Sequence, residues 1–332
     1  MLILGIDTSC DDTAAAIVED GRRIISNVVS SQDDIHKKYG GIVPELASRR
    51  HIELIWPVVT EAMKGASVRF SDISAIAVTN GPGLIGSLLI GVCFAKSISF
   101  VHQIPLVAVN HLEGHIHAIF LEASPEFPFI ALVVSGGHTS IYRVDDYGSY
   151  KEIGRTRDDA AGEAYDKVAK LLGFGYPGGP IIDAISVKGD PFAIAFPKAN
   201  LAGSCDFSFS GLKTAVMNYI RRHPDSTKED ISASFQSAVI EVLVDRVTEA
   251  VKAECLNRVV LSGGVSANRS LREKMGQRAA IAGFEMFLPS LHLCTDNAAM
   301  VAAAGYHHFT KGDIADFDLN PKAYLPLVSA AG

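Results

Sequence analysis

Apolar and polar positions come in blocks along this chain, and the blocks read as strands and helices in a recurring order. Leu2-Ile3-Leu4-Gly5-Ile6 is an unbroken apolar run, the pattern of a strand buried on both faces, and it ends in the polar turn Asp7–Thr13. Ala14–Val18 reads as the returning strand, Asp20-Gly21 as a hairpin turn and Arg23–Ser30 as a third strand. Pro44 suits a first helical turn, Glu45 complements the helix dipole, and Leu46, Ile52 and Ile55 recur on one side. Together they predict a helix over 44–59. Ile73–Thr79 is the next strand, Asn80–Gly83 a tight loop, and Leu84–Phe100 an apolar helix whose Gly83, Gly86, Gly91 and Ala95 leave a small-residue face. Ser87, Lys96 and Ser97 interrupt that helix and it is short for a bilayer, so it is expected inside the protein rather than in a membrane.

After the strand Leu106–Val109 and the stretch His111-Leu-Glu-Gly-His115, the opening pattern returns. Phe129–Val134 is an apolar strand, Ser135–Thr139 a small polar turn, and Ser140–Val144 a returning strand. A helix runs through Leu172, and Gly173–Pro180 is too rich in glycine and proline for regular structure. A helix from about Ile181 carries Asp183, Phe207–Lys213 opens another, and Lys228–Cys255 reads as a long amphipathic helix with a break. Arg258–Leu261 is a strand leading through Ser262–Asn268 into a helix, Thr295 is the expected N-cap of a helix over 298–306, and Asp316–Gly332 is expected to hold a short strand and a tail. A duplicated strand–turn–strand unit is the layout of the two-lobed actin/hexokinase/Hsp70-like (ASKHA) α/β fold, two RNase H-like domains with central mixed sheets. The expected lobes are 1–125, completed by 297–327, and 126–296.

Composition narrows the class. With 332 residues, 48% hydrophobic and 20% charged, the chain is globular and long enough for about two domains. A net charge of −7 argues against gripping nucleic acid over the whole surface, though Arg49-Arg50 and Arg221-Arg222 are local basic patches. Cys10, Cys93, Cys205, Cys255 and Cys294 are scattered and form no CxxC pair, which points to a reducing compartment, the cytoplasm. The N-terminus lacks a basic stretch and reaches Asp7 too early for a signal peptide.

The chemistry gathers around His111 and His115. Two histidines four apart on a helix differ by about 40° in direction, so both imidazoles can reach one ion. The pair alone leaves a metal site and a structural role open. Asp296, ahead of a helix in the second half, is a candidate third ligand, and helix capping is its other possible role. A zinc protease needs glutamate directly after the first histidine. Here Leu112 stands there and Glu113 follows, turned about 100° away. Ser135 lacks the spacing of a nucleophile elbow, and no GxxxxGK[ST] phosphate loop is present.

Taken together, GIDTSCDDT (5–13), NGPGLIGSLLIG (80–91), NHLEGHIHA (110–118), SGGHT (135–139), DDAAGEAYDK (158–167), YPGGP (176–180), FSGLKTA (209–215), SGGVSAN (262–268) and CTDNAAM (294–300) make the chain resemble the bacterial tRNA N6-adenosine threonylcarbamoyltransferase family over nearly its whole length. One departure is that Asp7 and Asp12 stand where the family more often has glutamate. The resemblance implies a metal-dependent acyltransferase that passes threonylcarbamoyl from threonylcarbamoyl-AMP to the N6 amine of adenosine 37 in tRNAs reading codons that begin with A. It implies one divalent metal per subunit, iron or zinc, on His111, His115 and Asp296. It implies substrate binding by Val134, Ser135, Gly136, Gly137, His138, Asp166, Gly179, Asp183 and Asn268, and leaves Lys213 without a role. The implied partners are a paralogous subunit of the same fold and a small P-loop ATPase. The flanking duplicated turns place the histidine pair at an interlobe cleft, with Asp296 reaching it from the opposite lobe. A small-molecule kinase of the same superfamily, or a non-catalytic nucleotide-binding scaffold, are the alternatives; neither requires the histidine pair.

Overall fold

The first strand, β1 (Leu2–Asp7), sends Ile3 into one apolar cluster and Leu4 and Ile6 into another, so its sheet is covered on both faces. The computed structural model describes residues 1–199, 201 and 203–327. After β1 come β2 (Asp12–Glu19), β3 (Arg23–Ser31), α1 (Asp33–His36), α2 (Pro44–Ala66), β4 (Ala75–Gly81), α3 (Ile85–His102), β5 (Leu106–Asn110) and α4 (His111–His117). Then follow β6 (Phe129–Val134), β7 (Thr139–Asp146), β8 (Ser149–Arg155), α5 (Ala161–Leu171), α6 (Gly178–Ser186), α7 (Ser210–Arg222) and α8 (Lys228–Ala253). The chain continues through β9 (Arg258–Ser262), α9 (Arg269–Ala282), β10 (Glu285–Phe287), α10 (Leu291–Cys294) and α11 (Ala298–Thr310).

The strands form two five-stranded sheets of the same topology, β3-β2-β1-β4-β5 and β8-β7-β6-β9-β10. In each, the opening strand pairs antiparallel with its hairpin partner and parallel with a strand that arrives later. This duplicated mixed sheet is the expected α/β architecture. The chain divides into two compact units: 1–125 with 147–149 and 289–332, and 126–146 with 150–288. The segment 289–296, expected with the second lobe, therefore stands in the first unit, and Asp296 with it. The reason is local: α10 and the start of α11 bury Leu293 and Ala298–Ala302 in the first unit's own core.

Elsewhere the boundaries shift for identifiable reasons. Helix α2 runs past 59 and through Pro57, because Val58, Val59, Ala62 and Met63 are buried in the sheet's apolar cluster. Helix α6 begins at Gly178, inside the segment expected to be irregular. Helix α8 is one unbroken 26-residue helix, with every residue from Ile231 to Ile240 buried. The edge strands β8 and β10 carry too few apolar residues to stand out in the sequence. No strand forms within 316–327, and the rest of that expected element lies outside the described residues. Helix α3 is long and apolar enough to cross a membrane by length and composition, yet Leu88, Val92 and Ala95 pack into the protein.

Helix α11 carries alanines and Gly305 on its first two turns and lies close against the sheet. A Cβ on Gly5 would collide with the carbonyl oxygen of Ala298, and one on Gly305 with the side chain of Ala77. At its far end His308 donates to Glu113 Oε2 on α4 (2.9 Å) and to Asp313 Oδ2 (2.7 Å). Burial alone would lower the pKa of His308, but the Glu113 and Asp313 carboxylates outweigh it and hold it at about 9.

Two stability predictions follow from this packing. Gly5→Val should cost about 1–3 kcal/mol through overpacking and lower the melting temperature, whereas Gly211→Ala, a helical site with open space around it, should hold or gain up to about 1 kcal/mol; calorimetry of both variants checks this. The His308 contribution, with a folded pKa raised above the ordinary 6.5, is fully present below pH 6.5 and is lost as pH rises through about 9. The stability gap between the wild type and His308→Leu should accordingly be widest near pH 6 and shrink above pH 9 in denaturant titrations.

Candidate functional site

In the first unit, β5 ends at Asn110, whose Oδ1 accepts the Leu112 N–H (2.9 Å) and so starts α4 with its two histidines facing one point. His111 Nε2 lies 3.6 Å, and His115 Nε2 3.3 Å, from Asp296 Oδ1. One ligand atom from each of the three residues falls within 4.8 Å of the others. Asp296 is not the helix cap: Asn297 Oδ1 accepts the Met300 N–H (3.0 Å) and takes that role, and the expected cap Thr295 makes no such bond. All three residues stand in the first unit, so the expectation that Asp296 comes from the opposite lobe is corrected.

The donor set suits a divalent cation. Among the described residues, neither ring nitrogen of buried His115 has a hydrogen-bond partner, an arrangement that is costly without a ligand. The surroundings are strongly acidic. Burial, then Asp296 and Asp11, push Asp12 up to about 7, and burial followed by Asp296 also raises Asp11. Burial would lower His111, but the Asp296 and Asp7 carboxylates lift it to about 9. The same crowding of carboxylates that holds a proton on His111 would be relieved by a bound cation, which would take the proton's place on the ring. Asp7, which the sequence flagged only for its short side chain, brings Oδ2 to 3.5 Å from His111 Nδ1, on the ring edge away from Asp296. The turn that carries Asp7 is held by buried His51, whose Nδ1 pairs with Thr13 Oγ1 (2.8 Å) and Nε2 with the Cys10 carbonyl (3.0 Å).

The remaining candidates stand in the second unit. Val134 closes β6. Ser135 N–H donates to the His138 carbonyl (2.8 Å), and His138 N–H to Ser135 Oγ (3.2 Å), which makes Ser135–His138 a tight turn. Gly136 and Gly137 are exposed at its tip, and a Cβ on either would meet no protein atom within 4 Å. Packing does not demand glycine there, whereas close approach of a ligand to the backbone would. Gly179 on α6 is equally open, while its neighbour Gly178 is not: a Cβ there would come within 2.7 Å of the Asp166 Cα and the Ala169 Cβ. Asp166 Oδ1 accepts the Gly178 N–H (2.7 Å), tying α5 to the start of α6.

Asp183 and Asn268 are brought together through a residue the sequence reading missed. Gln236, buried in mid-α8, donates from Nε2 to Asp183 Oδ1 (3.3 Å) and to Ser270 Oγ (3.2 Å), and its Oε1 accepts from Asn268 Nδ2 (2.7 Å). The available signal was a large amide side chain amid the small and apolar residues of 231–240. Nearby, the buried Tyr165 hydroxyl has no hydrogen-bond partner among the described residues, and burial together with the Asp183 charge raises its pKa. Lys213 lies on α7.

Comparisons with known proteins identify the family. Residues 23–303 match the family described as TsaD, tRNA N6-adenosine threonylcarbamoyltransferase. A protein of that name from Thermodesulfovibrio yellowstonii is 58% identical, covering 98% of this chain and 100% of the relative. One from Symbiobacterium thermophilum is 53% identical over 96% and 95%. Among solved structures, HypF from T. kodakarensis superposes with a TM-score of 0.64 at 14% identity, covering 96% of this chain and 49% of that one. A ROK hexokinase from Thermus thermophilus gives 0.51 at 16% identity, over 94% and 100%. These structural likenesses speak for the fold. The full-length sequence matches go further: the chain belongs to the tRNA N6-adenosine threonylcarbamoyltransferase family.

Proposed function

We propose that this tRNA-modifying transferase takes its threonylcarbamoyl group from threonylcarbamoyl-AMP, passes it to N6 of adenosine 37 in tRNAs reading codons that begin with A, and releases AMP. One divalent ion, iron or zinc, is held by His111, His115 and Asp296. The observation that carries this reading is the convergence of those three ligand atoms within 4.8 Å, in a chain of this family. A kinase or a scaffold has no use for such a convergence.

The physical task is orientation. The N6 amine is a weak nucleophile because its lone pair is delocalised into the ring, while the carbamoyl carbon carries a good leaving group in a mixed anhydride with phosphate. The N6–carbon bond forms, the carbon–oxygen bond to phosphate breaks, and the amine proton can leave on the departing AMP. Backbone N–H groups of the Val134–His138 turn, Gly136 and Gly137 foremost, would hold the phosphate or carbamoyl end, and Asp166, Gly179 and Asp183 the ribose. Asn268 would contact the adenine. When bound, the metal would supply Lewis-acid stabilisation of developing negative charge. Asp7 would fix the ring of His111 from its Nδ1 side, as carboxylates behind ligating histidines do.

A paralogous subunit of similar fold is the proposed partner, joined by a small P-loop ATPase, and the cytoplasm is the proposed location, in keeping with five free cysteines. The docking surface lies on α2 and α3. Ile52 and Trp56 stand one turn apart on α2, as do Ile85 and Leu89 on α3, and all four are exposed, Ile52 to 62%. A groove of 380 Å³ lined by Trp56, Pro57, Thr60, Glu61 and Lys64 adjoins them.

Reconstitution tests the reading: purified chain, its partners, unmodified tRNA, threonine, bicarbonate, ATP and the adenylate-forming enzyme should yield threonylcarbamoyladenosine by mass spectrometry, and absence of product would sink it. His115→Ala and Asp296→Ala should lose bound metal by elemental analysis and lose modification together, while Asp7→Ala should weaken metal binding by about 10–100-fold. Trp56→Asp with Leu89→Asp should abolish the heteromer in size-exclusion chromatography with light scattering, and leave the melting temperature of the isolated chain unchanged.

A further inference from the structure

The carboxylate of Asp183 and the amide of Asn268 sit on different helices, and each needs one particular face turned outward to meet a nucleotide. A hydrogen-bond chain of fixed polarity decides those faces. It begins at a group that can only donate, the Leu271 backbone N–H, which reaches Asn268 Oδ1 (2.9 Å). With Oδ1 so occupied, the other end of that amide, Nδ2, faces Gln236 and donates to its Oε1 (2.7 Å). Gln236 must then present Nε2 on its opposite side, and there it donates to Asp183 Oδ1 (3.3 Å) and Ser270 Oγ (3.2 Å). Gln236 is 4% exposed and both of its amide hydrogens and its oxygen are engaged, so the side chain has no freedom to flip. Asp183 receives a donor on Oδ1 and keeps Oδ2 without a hydrogen bond among the described residues. One helical turn earlier, Gly179 leaves open space beside it.

We propose that Gln236 is the positioning residue of the nucleotide site. From a buried place on α8, itself oriented by Asn268, it holds Asp183 as a pure acceptor for a ribose hydroxyl, without touching the substrate. The inference rests on the reading that Asp183 and Asn268 bind the adenylate. It deepens that reading by tying two contacts from separate helices to one buried amide, so that ribose and adenine recognition are coupled.

The chain of donors supplies a sharp test. In Gln236→Glu the volume is kept, Asn268 Nδ2 can still donate to the new carboxylate, and the Ser270 hydroxyl, an acceptor from the glutamine, can rotate to donate to it. Asp183 has no donor to turn, so its contact becomes acceptor against acceptor and charge against charge. In the reconstituted modification reaction, Gln236→Glu should raise KM for threonylcarbamoyl-AMP roughly tenfold or more, with kcat much less affected and the melting temperature retained. Adding Asp183→Asn restores a donor facing the glutamate, so the double variant should perform no worse than Asp183→Asn alone. Asp183→Ala and Asn268→Ala separate the two levels of the argument. If both leave KM unchanged, the nucleotide reading falls and this inference with it. If they raise KM but Gln236→Glu does not, or if the effects of Gln236→Glu and Asp183→Asn simply multiply, the nucleotide reading stands and the positioning role of Gln236 is overturned.

Discussion

The close seat of α11 on the first sheet is the constraint on which the candidate metal centre depends. Its alanines, Ala298 and Ala302 foremost, allow the helix backbone to approach β1 so tightly that Gly5 has no room for a side chain. This seat brings Asp296, two residues ahead of the helix, to the imidazoles of α4. Asn297 takes over the capping of α11 and so spares Asp296 that duty. The Glu113–His308 bond joins α4 and α11 a second time, from between His111 and His115 on α4 to the far end of α11. The ligands therefore sit on elements whose spacing is set by packing, which is what a preorganised centre requires.

The second unit solves a different problem with polar rather than apolar contacts. Its core is apolar almost throughout, yet α8 places Gln236 among Ile231–Ile240 and satisfies every hydrogen-bonding group of that amide. A buried amide is tolerated when all its groups are paired, and it then fixes the orientation of whatever it pairs with. The Ser135–His138 turn is held in a comparable way, by bonds within its own backbone and side chains, and its glycines are left open.

Much of this was legible in the sequence because it is periodic or local. β6 appears at the expected residues, and β1, β2 and β9 within one or two of them, since buried strands are continuous apolar runs bounded by turn residues. The strand β8 was not legible, because its solvent-facing residues break the run, nor was β10, which has three residues. The glycines around 178 suggested an irregular loop. They open a helix instead, because Asp166 accepts the Gly178 N–H and the close approach of α5 excludes any side chain there.

By itself the sequence determined the fold class, the family and the placing of His111 and His115 on one helix, because these rest on residue types at fixed short spacings. It did not determine which unit owns Asp296, which residue caps α11, or that Gln236 connects Asp183 to Asn268. Those facts depend on contacts between residues far apart in the chain: 181 positions separate His115 from Asp296 and 53 separate Asp183 from Gln236. No local pattern encodes such a pairing. It arises only when helices pack, and buried polar groups then must find partners wherever the packing has left them.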